Sequence, residues 1–154
     1  MHLSEIHKAV VDFLDLITRD RPAEDQDIET LEDCLDRLAL GYRRAHYEFE
    51  DGHPDPPDVD YPALRERTIR RFPMFGYYNI PEFITSKLME SPLITGDAID
   101  DLTDIARDLM DVRWCWEHTS PNDAMWHFRI GFETHWGGHL RNLQWYIQGF
   151  KDEH

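Results

Sequence analysis

Five aspartates, Asp97, Asp101, Asp104, Asp108 and Asp111, recur at steps of three and four residues, and two histidines, His135 and His139, stand four apart. At about 100° per helical residue, the aspartates project within an arc of roughly 80°, beside an apolar stripe and not opposite it. Carboxylates on that border reach a neighbouring helix, and clustering them raises some of their pKa values unless cations offset the charge. Arg107 and Arg113 are the bases within this helix's span, and their angles put neither inside the acidic arc. On the helix that follows, Arg129 and Glu133 flank one side of the apolar face, while His135 and His139 flank the other. His127 projects roughly 80° away from His135 and leaves the set.

Three kinds of chemistry suit these residues. In the first, which is preferred, Arg129, His135 and His139 satisfy Asp101, Asp104 and Asp108 across a helix seam, with Glu133 and Trp136 in the same polar framework. In the second, the histidine pair and one or two aspartates hold a divalent metal. HWGGH lacks the glutamate of HExxH, so no metal or other cofactor is expected. The third is a magnesium-dependent phosphohydrolase, which needs an ExxE pair facing ExxD. Glu29 and Glu32 have the first spacing, but the aspartate helix carries no ExxD. Nucleophilic catalysis has no support, because GxSxG, a phosphate-cradling glycine loop and a Cys–His spacing are all missing. The chain does not read as an enzyme.

The elements that position these residues are helical. Ser4 as N-cap and Ile6, Val10, Phe13, Leu14 and Ile17 predict a first helix. Ile28, Leu31, Leu35, Leu38, Tyr42, Ala45 and Phe49 predict a second, long one. Residues 51–62 form a proline-rich acidic loop, and Leu64, Thr68, Ile69 and Phe72 mark a short basic helix. FPMFGYYNIPEF reads as an irregular aromatic loop, ITSKLMESPLITG allows a short helix, and no alternating strand pattern stands out. Gly96-Asp97 opens a helix with Ile99, Leu102, Ile105, Leu109, Val112 and Trp116 on its apolar face. Asn122 or Asp123 caps the last helix, which carries Met125, Phe128, Phe132, Trp136, Leu140, Leu143 and Ile147. Gly137-Gly138 within it signals close backbone approach or a kink. The expected fold is all-α and bundle-like, with four or five main helices in one domain over residues 1–154 and a helical pair at 96–148 as its signature. All five tryptophans lie in that pair, as core.

Composition bounds the partners. The chain of 154 residues is 41% apolar, with 31 acidic against 16 basic side chains and a net charge of -15. Such a field repels phosphate backbones and anionic lipid surfaces and favours a basic protein partner. Cys34 and Cys115 fall in helical patterns and are expected to be buried, reduced thiols. The start, MHLSEIHKAVVDFLDL, reads as neither signal nor transit peptide, so a soluble cytoplasmic protein is expected.

Asp101, Leu102, Asp104, Ile105, Asp108 and Leu109, then Ala124 and Trp126, then Phe132, Glu133, Trp136 and Gly137 form a long, tryptophan-rich motif. This motif resembles the C-terminal signature of a bacterial family described as domain of unknown function 5063. The likeness covers the last third, and more weakly the helix from Ile28 to Phe49. It implies a small, mainly helical, soluble domain with no established activity. It further implies that other side chains are tolerated at His135 and His139, and that Asp104, Asp108, Glu133 and Trp136 form the framework. The functional expectation is therefore a non-enzymatic interaction or accessory module, immunity-type in character, acting on a basic partner. The rival is a metal-binding protein or metal-dependent hydrolase using Asp101, Asp104 and Asp108 with His135 and His139.

Overall fold

The computed structural model describes residues 1–154 and is predominantly helical. Helices α1 (Leu3–Thr18), α2 (Asp25–Arg44) and α3 (Tyr61–Arg71) precede a hairpin of β1 (Tyr77–Pro81) and β2 (Leu93–Asp97). Then come α4 (Ala98–His118) and a rod made of α5 (Pro121–Gly131), a π-helical turn (Phe132–Trp136) and α6 (Gly137–Glu153). Counting that rod once gives five main helical rods. No helix is long and apolar enough to cross a membrane.

The helix boundaries follow local chemistry. Glu24 and Asp27 form a capping box at the start of α2, and Asp60 accepts from the Ala63 amide at 3.1 Å to open α3. The Asp97 carboxylate accepts from Ile99 N at 2.9 Å to open α4. Two expected caps move. Ser4 lies inside α1, whose cap position is His2, and Ser120 caps α5 by accepting from Asp123 N at 3.0 Å. Pro121, fixed near helical φ, follows that cap directly.

The apolar stripes meet in a continuous core of 32 buried residues drawn from every helix. Helix α4 lies at its centre, packed by α1, α3, α5 and α6. Each fully buried Leu, Ile or Phe there contributes about 1.5–3 kcal/mol relative to an exposed one. The second helix is shorter than its periodicity predicts: it ends at Arg44, and Phe49 lies beyond it, 65% exposed. On α3 the expected Ile69 is exposed, and the guanidinium-bearing Arg71 takes a buried place instead.

The middle of the chain differs most from expectation. Residues 77–81 and 93–97 pair as an antiparallel ladder from Tyr77–Asp97 to Pro81–Leu93, where a loop and a short helix were expected. Half of the ten residues are exposed: Tyr78 and Ile80 turn inward from β1, but β2 buries none, and two inward side chains are too few to give a period-two signal. Gly96 sits opposite Tyr78, and any side chain there would run into the Tyr78 ring. The last helix also departs from regularity at its wide turn. A Cβ on Gly137 would collide with the Phe132 carbonyl, whereas one on Gly138 would meet nothing within 4 Å. The first glycine allows the turn's close backbone approach.

Candidate polar and metal-binding seam

The α4 aspartates face α3, the hairpin and the rod that follows them, and each stretch of the row meets a different partner. At the helix start, Arg65 of α3 donates to Asp97 at 2.9 Å and to Asp100 at 2.8 Å. One turn on, buried Asp101 accepts from the Tyr78 hydroxyl and pairs with His139 Nδ1 at 2.8 Å. The other nitrogen of that ring, Nε2, stands 3.2 Å from Asp104 Oδ2. Asp108 pairs with His135 Nδ1 at 2.6 Å. At the far end Arg107 reaches Asp108 at 3.3 Å and Asp111 at 3.2 Å. That corrects the angular argument, since a long arginine bends to its i+4 neighbour whatever direction its Cβ takes.

The electrostatics follow from this packing. Burial raises the Asp104 carboxyl above its ordinary range, against the opposing pull of His139 and His135. Burial alone would lower the His139 pKa; the Asp101 hydrogen bond and the charges of Asp104, Asp101 and Asp108 reverse this and leave it raised. Burial and the Asp101 carboxylate hold the Tyr78 hydroxyl firmly protonated, and burial beside Asp104 does the same for Tyr61. Asp111 is raised by burial, with Arg107 opposing.

Three expected members lie elsewhere. Arg129 does not reach the aspartates: it donates to the Ala45 carbonyl at 2.8 Å, lies 3.6 Å from Glu133 and stacks over the Tyr42 ring at 4.9 Å. Glu133 in turn accepts from the Tyr42 hydroxyl at 2.6 Å. These two therefore tie the rod to α2 on the opposite flank. Trp136 is fully buried between Phe128 and Phe132, with its indole N–H unpartnered, and belongs to the core. Glu29 and Glu32 both pair with Lys151 of α6, so the ExxE spacing serves an α2–α6 contact. Tyr61, Arg65 and Tyr78 are the partners that sequence reasoning missed. Arg65 carried a signal, because α3 is rich in base and the aspartates lacked cations.

Two groups have donor atoms close enough for a cation. One is Asp104, His135 and His139; the other is Cys115, Asp123 and His127. In the second, the buried Cys115 thiol is pushed up to about 12 by burial and Asp123, and Asp123 already accepts from Thr119 at 2.7 Å. Cys34 is likewise buried and free.

Comparison with known proteins gives a fold and no activity. Residues 2–151 match the family described as "Domain of unknown function (DUF5063)", so the likeness spans nearly the whole chain and not only its last third. The crystal structure of protein BF1032 from Bacteroides fragilis is similar, with a TM-score of 0.67 at 20% identity, covering 96% of this chain and 90% of that one. No curated protein matches.

Proposed function

The chain belongs to the Domain of unknown function (DUF5063) family, and from its own surface we propose that it is a non-enzymatic recognition module that docks a basic protein partner on its β-hairpin. The observation that carries this reading is the far end of the hairpin. Phe83, Ile84, Leu88, Met89, Leu93 and Ile94 are exposed there, Ile84, Leu88 and Met89 at 90%, 87% and 100%. Side chains this exposed add nothing to the core, and six large apolar ones within twelve residues are what an interaction site presents. At the hairpin's base a cleft of about 490 Å³ runs between β1 and α6, lined by Tyr77, Tyr78, Trp145, Tyr146 and Phe150. It is large enough to seat an anchoring side chain. The two-stranded sheet also has an outer edge to which an extended segment can add. The net charge of -15 selects a basic segment and steers its approach.

The test uses the chain and a variant carrying Ile84→Ser, Leu88→Ser and Met89→Ser. Both should fold with stabilities within about 0.5 kcal/mol, since these sites are exposed. A basic protein captured at low salt should rebind after purification, more weakly as salt rises, and should fail to bind the variant. Capture indifferent to the substitutions, or self-association in place of a partner, counts against the proposal.

A further inference from the structure

The seam holds an arrangement that ion pairing alone does not require. We propose that Asp104, His135 and His139 bind one zinc-class divalent cation through the Asp104 carboxylate and the Nε2 atoms of both imidazoles. Asp101 and Asp108 are then outer carboxylates that set the two rings.

The donor set comes first. Two imidazole nitrogens and one carboxylate oxygen suit zinc and its first-row neighbours, whereas magnesium and calcium take oxygen ligands. Next is ring orientation. His139 Nδ1 is held by Asp101 at 2.8 Å and His135 Nδ1 by Asp108 at 2.6 Å. A carboxylate on the remote nitrogen fixes tautomer and ring direction in histidine–metal sites, and here it occurs twice, four residues apart.

Distance supports the same reading. Donor atoms of the three residues lie within 4.8 Å of one another, and His139 Nε2 is 3.2 Å from Asp104 Oδ2. Ligands about 2.0–2.1 Å from a tetrahedral zinc stand a little over 3 Å apart, so that pair already has the spacing of one polyhedron edge. The His135 ring centroid is 4.9 Å from that of His139, with the planes at 77°, so the two imidazoles stand side by side at the carboxylate. Access is open, since the His135, His139 and Asp104 side chains are 45%, 27% and 19% exposed. Three protein donors leave a fourth position for water.

The backbone adds an independent observation. His135 lies in the π-helical turn, and His139 follows it in α6. Such wide turns are rare, cost helical hydrogen-bond quality and concentrate at functional sites. Here the turn accompanies two histidines on the face that meets α4.

Calorimetric titration of tag-free protein with zinc chloride, with magnesium chloride as the hard-cation control, tests the proposal. One zinc per chain and no magnesium binding are expected. Asp104→Asn and His135→Gln should each weaken zinc binding at least tenfold, and Asp108→Asn by about 10–100-fold. Circular dichroism checks each variant's fold, and His135→Gln alters a half-exposed side chain, so it remains readable if Asp104→Asn misfolds. Cobalt(II) should give visible absorption bands that the same variants lose. No stoichiometric zinc, binding unchanged in both variants, or loss on Cys115→Ser, which would place the ion at Cys115, Asp123 and His127, overturns it.

Discussion

Arg71 is the one basic side chain buried in the fold, and its guanidinium ties three segments together. It donates to the Leu16 carbonyl at 2.7 Å and to the Arg21 carbonyl at 3.1 Å, and pairs with buried Asp27 at 3.1 Å. Arg71→Met leaves the Leu16 and Arg21 carbonyls without their donor, while Asp27 keeps Arg21 at 2.7 Å, so the substitution should cost about 1–3 kcal/mol in urea unfolding. Asp27 also gives the molecule an acid limit. The Arg21 hydrogen bond, helped by the Glu24 amide and Arg71 and opposed by burial, holds its carboxyl well below the usual range. A carboxyl depressed in the folded state stabilises above its unfolded pKa and loses that contribution as pH falls towards the folded value. The contribution from Asp27 should therefore be full above about pH 5 and decline below about pH 4. Unfolding midpoints measured across that range check this, and Asp27→Asn should flatten the decline. None of this was legible locally. The pattern Leu64, Thr68, Ile69 and Phe72 left Arg71 outside α3's apolar side, and the groups that make its burial possible, Asp27 and the Leu16 and Arg21 carbonyls, lie 44 to 55 positions away.

At the scale of elements, the sequence reads well wherever a helix buries one face. Ile99, Leu102, Ile105, Leu109 and Val112 are all buried, as the three-four spacing predicts. It reads poorly where a constraint is backbone or partner. The hairpin escaped because its strands face solvent, and the π turn escaped because an apolar pattern in steps of three and four tolerates one wide turn. Gly137-Gly138 marked that place without separating the two positions. The geometry separates them. Gly138→Ala should stabilise the protein by up to about 1 kcal/mol, since alanine is the better helix former and meets nothing. Gly137→Ala should destabilise it, because its methyl meets the Phe132 carbonyl and ring. Thermal unfolding of the two variants decides this, and equal shifts would mean that the wide turn relaxes freely.

Over the whole molecule, helical class and the acidic field were legible, and so was the family, from one motif of acids and tryptophans. The site was legible in part: the Asp–His pairs were anticipated, whereas Arg129 turned out to face α2, and Tyr61, Arg65 and Tyr78 come from segments that periodicity does not connect to α4. The exposed apolar set proposed for docking was not legible at all, because exposed apolar residues look like core in a sequence. Half of the large exposed hydrophobics, six of twelve, fall between Phe83 and Ile94. The most direct measurement replaces Leu88 with a photo-crosslinking amino acid in the otherwise unaltered chain and irradiates it inside living cells. The account predicts one dominant covalent adduct with a basic protein, lost on adding Ile84→Asp. An adduct joining two copies of this chain, or none above background, would contradict it.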